Sequence, residues 1–202
     1  MDIEAIDIVD QARQAEQAKS RLNALVAITV ALLATFMGIC KVKDDNIVQA
    51  MQQAQADKLD HWAFYQARNV REEVASATLL QLQLGLASAP PTLAAPVRAD
   101  YQAAIERYTR FVGEQKHKKE ELQAAAGRDQ ATYDAANFRD DQFDMSDAFL
   151  AISVAMLAVT ALTAQRWLFA LAMVPTTLGV VMGLAGLCQW AIHPAWLVAL
   201  LT

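Results

Sequence analysis

Aspartates crowd two short stretches of this chain: Asp44 and Asp45 in KVKDD, and Asp140, Asp141, Asp144 and Asp147 in FRDDQFDMSD. Carboxylate oxygens are the hard ligands that calcium and magnesium take, and rings of acids at a pore mouth concentrate cations. The chemistry on offer is thus a cation site built from Asp44, Asp45, Asp140, Asp141 and Asp144. The plainer alternative is a solvated collar in which Lys41, Lys43 and Arg139 pair the acids.

Other chemistry finds no support in the residue pattern. The histidines His61, His117 and His193 are far apart, and His117 sits in the solvated run KHKKEE. No Ser–His–Asp set, HExxH, P-loop or GxGxxG pattern is present, and only 7 glycines exist to build a phosphate-cradling loop. Cys40 and Cys188 lie at or inside apolar segments without a Cys or His at metal spacing. They are expected to be buried thiols, neither disulfide nor zinc ligands. No catalytic residue and no cofactor is expected, and the chain does not read as an enzyme.

The elements that must position the acids follow from how charge is distributed. Hydrophobic residues make up 55% of 202 residues and charged ones 19%. Almost no charge falls in 22–40 or 148–202, while 1–21 and 41–147 hold nearly all of it. That segregation is the mark of a membrane protein. A net charge of −5 argues against nucleic acid, which is held through Lys and Arg, and against peripheral docking on anionic lipid.

Three segments are long and apolar enough to span a bilayer. The first, 22–40, has 19 residues without a formal charge, just enough for a hydrocarbon core of about 30 Å. Lys19 and Arg21 precede it and Lys41 and Lys43 follow, so cations can snorkel at both ends. The long acidic stretch ahead of it and the lack of an A-x-A-like site before Lys41 favour an uncleaved anchor over a signal peptide. The second, 147–165, opens on Ser146 and Asp147, a plausible N-cap pair. The third, 167–190, lies between Trp167 and Trp190, 23 residues apart, or roughly 34 Å of helix, which matches two interfacial aromatic belts.

Segments two and three form a hairpin with Arg166 near its tip. In the third, Gly179, Gly183 and Gly186 form a small-residue face with Ala172 and Thr176. Such faces let helix backbones approach closely, either within one chain or between copies. Pro175 removes a backbone donor there, and Thr176 and Thr177 can satisfy freed carbonyls. The tail, 191–202, is apolar but short and is expected to lie in the interface around Trp196. No ionisable side chain sits near mid-membrane, which counts against a pump.

Residues 41–146 read as an extramembrane hairpin of two long helices, broken near 88–97 by Ser88, Pro90, Pro91 and Pro96. One arm starts at Asp44 with apolar positions at helical spacing, among them Met51, Leu59, Val70, Val74, Leu80 and Leu84. The other follows from about Val97 to Phe138 through Tyr101, Ile105, Tyr108 and Val112. Each arm of roughly 40 residues could reach about 60 Å from the membrane. Trp62, Phe64, Tyr65, Tyr101, Tyr108 and Phe111 do not all fit one two-helix seam, which implies a further surface, the same arm of a neighbouring subunit. Residues 1–21 add an amphipathic helix with Ile3, Ile6, Val9 and Ala12 on one face.

The strings LNALVAITVALLATFMGICKVKDDNIVQAMQQAQADKLDHWAFYQARNVREE and FRDDQFDMSDAFLAISVA resemble the bacterial membrane family known as domain of unknown function 4337. The resemblance runs from about Arg21 to Trp196, and KVKDDNIVQAMQQAQ and FRDDQFD are its distinctive parts. It implies a bacterial membrane protein of this layout and carries no activity, substrate or catalytic residue.

The sequence therefore predicts an all-α membrane protein: three transmembrane helices, a coiled-coil-like helical hairpin between the first two, and an N-terminal amphipathic helix. It is expected in the bacterial inner membrane as a non-enzymatic homo-oligomer whose stalk serves assembly or protein interaction. The other function considered is a cation-conducting or cation-sensing channel with an acidic vestibule at the stalk base. The partners expected are a second copy of the chain, the lipid bilayer and, for the channel, cations.

Overall fold

The computed structural model describes residues 2–192, and the side chains of 10, 11 and 13–192. It is all-α: α1 (Asp2–Ala87), α2 (Ala95–Thr163) and α3 (Arg166–Cys188). All three helices are long and apolar enough to cross a membrane. The tail residues Pro194 and Trp196 and the third histidine, His193, lie outside the described residues, as do the side chains of Ile3, Ile6, Val9 and Ala12.

α1 does not restart at Asp44, and α2 does not restart at Ser146 and Asp147. No proline occurs in 1–87, and neither proline nor glycine occurs in 128–163. Nothing therefore interrupts the i→i−4 ladder where polarity changes. A change from apolar to charged side chains alters what a helix faces, not whether it continues. Freed from capping, Ser146 donates its hydroxyl to the Gly179 carbonyl of α3 at 2.8 Å.

The real interruptions are chemical. At the end of α1 the Ser88 backbone and hydroxyl both donate to the Leu84 carbonyl, at 2.9 and 2.8 Å. Pro90 and Pro91 follow, and Pro96 falls in the first turn of α2, where its missing N–H is not needed. Between α2 and α3 the turn is only Ala164 and Gln165, with Ala164 at φ 53°. α3 continues through Pro175, with the Thr176 hydroxyl donating to the Ala172 carbonyl at 2.8 Å. It closes on Gln189 in the left-handed region, φ 59°, with the Trp190 N–H donating to the Ala185 carbonyl.

The helices belong to two compact units. The first, residues 1–49 and 135–202, contains the three apolar segments. Its core is Val26 and Leu33 from α1, Leu150 and Leu157 from α2, and Ala172 from α3, with Phe36, Val154 and Phe169 packed against them. Its outer surface is also apolar: Ile28, Leu32, Ile152, Leu162, Val174 and Leu178 are all exposed. A surface of that kind suits hydrocarbon rather than water.

The second unit, residues 50–134, pairs the rest of α1 with the first part of α2. The contacts run antiparallel: Tyr101 packs on Gly85, Lys119 meets Glu72, and His61 meets Asp129. Apart from Met51, its buried side chains are small or polar, namely Ala54, Ala75, Ala126 and Gln115. The seam is therefore narrow, and polar bridges cross it. Arg68 donates to Gln115 Oε1 at 3.0 Å, Lys119 donates to Asn69 at 3.0 Å, and Lys58 donates to Gln130.

Candidate functional site

The carboxylates singled out by sequence meet inside the first unit, where 40–45 of α1 pass 140–147 of α2. The spacing of Asp140, Asp144 and Asp147, one helical turn apart, puts all three on one face of α2. Asp44 faces them and is buried, with 5% of its surface exposed. Its Oδ2 accepts from Lys41 Nζ at 2.8 Å, and the same ammonium reaches Asp45 Oδ1 at 3.2 Å. Asp45 itself stays exposed, and Lys41 is the cation that pairs the collar on the α1 side.

Asp44 Oδ1 is buried and finds no donor. The carboxyl that lies against Asp44 belongs to Asp140. Partial burial, then contact with the Asp44 carboxylate, then the charges of Asp144, Asp44 and Asp141 push Asp140 up to about 6. A protonated Asp140 supplies the donor that the buried oxygen lacks. Asp144 is likewise raised, by partial desolvation of its carboxyl and the charges of Asp44 and Asp141, with Lys41 acting in the opposite direction. The Lys41 ammonium is held charged to higher pH by its bonds to Asp44 and Asp45.

What the arrangement can do follows from this geometry. A carboxyl and a carboxylate that share a proton form a proton-holding pair, whereas a divalent ion needs several oxygens converging on one point. Among the described residues no group of three or more His, Cys, Asp or Glu side chains is spaced to hold a metal ion. The acids are brought together, but as a pair at Asp44 and Asp140 with Asp144 and Asp147 beside it.

The glycine face of α3 is filled from within the chain. A Cβ at Gly179 would lie 2.7 Å from the Leu150 side chain and 3.1 Å from the Ser146 carbonyl oxygen. At Gly183 it would meet the Phe36 ring and the Ser146 hydroxyl at 2.8 Å, and at Gly186 the Phe143 ring at 2.8 Å. These glycines therefore let α1 and α2 side chains reach the α3 backbone.

One sequence expectation changes. Cys40 is buried, but Cys188 is exposed at the end of α3, so only one of the two thiols is enclosed. His61 is half-buried, with Nδ1 2.6 Å from Asp129, whereas His117 stays exposed beside Glu121. One structural residue escaped the sequence reading. Gln142 is fully buried, and its Nε2 donates to the carbonyls of Trp190 and Ile192 at 2.8 and 2.6 Å. The only signal was an amide inside an acidic run, on the opposite face of α2 from Asp140.

With this geometry in hand, comparison with known proteins gives one result. The family described as Domain of unknown function (DUF4337) matches residues 22–189. The chain belongs to that family. The DUF4337 match spans the first two apolar segments, all of α3, both acidic junctions and the three glycines of α3. No curated protein and no solved structure matches the chain.

Proposed function

We propose that this DUF4337 chain is a multi-pass protein of the bacterial inner membrane, non-enzymatic, and assembled as a homo-oligomer through its helical stalk. The observation that carries the proposal is an uncovered apolar stripe on the α1 arm. Leu59, Val70, Val74, Leu80 and Leu84 are each more than half exposed, at 63, 61, 62, 56 and 57%. At about 100° per residue they fall on one face of α1. Ala54, Arg68, Glu72 and Ala75, which form the seam with α2, fall on the other.

Five large side chains on one stripe, in an arm whose own seam buries mainly alanines, call for a covering surface. A second copy of the same arm offers an equivalent stripe, and a two-fold or cyclic arrangement brings like faces together. The same exposed residues could also receive another protein, which is the sense in which the stalk serves interaction. The cation-vestibule alternative has weaker support, because the Asp44 carboxylate is turned inward onto Lys41 and Asp140.

Native mass spectrometry of the detergent-solubilised protein tests the assignment. The expected result is a discrete oligomer that dissociates when Val70→Glu and Leu80→Glu are combined. A wild-type protein that is monomeric at every concentration overturns it.

A further inference from the structure

At the other end of the first apolar segment the three-helix unit has a cleft of about 360 Å³, lined by Ala18, Arg21, Leu22, Leu25, Arg166 and Phe169. Its composition is two-sided. Arg21 from α1 and Arg166 from the start of α3 bring two guanidinium groups to it, while Leu22, Leu25 and Phe169 give it an apolar wall. Neither arginine has an ion-pair partner among the described residues, and the first turn of α3 has no acidic residue.

We propose that this cleft binds an anionic phospholipid, its headgroup phosphate on Arg21 and Arg166 and the start of an acyl chain along Leu25 and Phe169. Guanidinium groups match phosphate oxygens in bidentate geometry. Snorkelling alone accounts for a single arginine at an interface. It does not account for two arginines from different helices converging on one cavity with a hydrocarbon-like side. The net charge of −5 does not oppose this. The carboxylate pair is 23 residues away along α1, between Arg21 and Asp44, or roughly 34 Å, several Debye lengths in physiological salt. The local sign at the cleft is positive.

The proposal rests on the membrane-spanning reading, and the test separates the two. The full chain in mild non-ionic detergent is titrated with phosphatidylglycerol or phosphatidylcholine and followed by native mass spectrometry. Phosphatidylglycerol adducts are expected about tenfold more abundant than phosphatidylcholine adducts at equal concentration. Arg21→Gln with Arg166→Gln removes that preference, Arg128→Gln in the other unit keeps it, and inorganic phosphate at millimolar concentration does not displace the lipid. Equal binding of the two lipids by wild-type protein overturns the proposal whatever the variants do. So does displacement by inorganic phosphate, which would mark a free-anion site, or an equal loss of preference in Arg128→Gln. Resistance of the chain to carbonate extraction reports membrane spanning independently: with it intact, a failed lipid preference removes only the lipid site.

Discussion

The buried carboxylate of Asp44 on α1 lies against the carboxyl of Asp140 on α2, with one Asp44 oxygen lacking any donor unless Asp140 carries a proton. Two acids 96 positions apart in the chain thereby meet, and that contact helps hold the proton on Asp140 to higher pH. The pair sits where the helices of the first unit are closest to charged sequence. Its ionisation state bears on how tightly α1 and α2 hold together there.

Stability of this unit should fall as pH rises. Asp140 is raised to about 6 from an ordinary 3.8, so the folded form binds the proton more tightly than the unfolded chain. Its favourable contribution is complete in acid and is lost as pH climbs from about 4 through about 6. Asp140→Asn keeps a donor for Asp44 at all pH values. The variant should melt a few degrees higher than wild type at pH 7.5, on the order of 2–4 °C, and show a flatter dependence between pH 4 and 7. A melting profile with unchanged slope would show that the pair does not titrate in this window.

The three α3 glycines should not tolerate even one methyl group. Gly179→Ala places a Cβ 2.7 Å from Leu150 and 3.1 Å from the backbone oxygen of Ser146, which cannot swing away. Overpacking of this kind costs about 1–3 kcal/mol. Gly38→Ala, also inside a helix, is the internal comparison, since nothing lies within 4 Å of its added Cβ, and it should not destabilise, gaining up to about 1 kcal/mol of helix propensity. Reversible unfolding in mixed detergent micelles measures both.

In the stalk, Arg68→Ala should cost about 1–3 kcal/mol, because Gln115 is 2% exposed and would keep a buried oxygen without its donor. Adding Gln115→Leu removes the orphaned amide and should recover more than half of the loss. Thermal unfolding followed by far-ultraviolet circular dichroism, run as a double-mutant cycle, reads the difference. Additive single effects would mean that the bridge contributes nothing.

Gln142→Leu should loosen the segment after α3 without unfolding the helices. The side chain holds the Trp190 and Ile192 carbonyls through one amide nitrogen. Losing both bonds should raise amide exchange at 189–192 about tenfold, as expected for roughly 1.4 kcal/mol of lost local stability. Exchange at Ala151–Leu157 in the middle of α2 should stay unchanged, and hydrogen–deuterium exchange mass spectrometry resolves the two regions.

Local physics made much of this molecule legible from its sequence. Charge-free runs at 22–40 and 148–164 mark apolar helices because hydropathy and helix rise need no partner. Pro90, Pro91 and Pro96 mark the break between α1 and α2 because proline acts on its own backbone. The glycine face of α3 was visible as a packing surface, and the resemblance to DUF4337, whose model matches residues 22–189, was visible in KVKDDNIVQAMQQAQ and FRDDQFD. Only the tertiary structure decided what those surfaces meet. Ser146 reads as a helix cap and proves to be an interhelical donor to Gly179. Gln142 reads as one more polar residue of an acidic run and proves to be a buried clamp. Asp44 and Asp140 became facing carboxyl groups of two helices, and Arg21 and Arg166 became two walls of one cleft. Each of these depends on which faces of helices far apart in the chain come together, and periodicity gives a helix its faces without naming their partners.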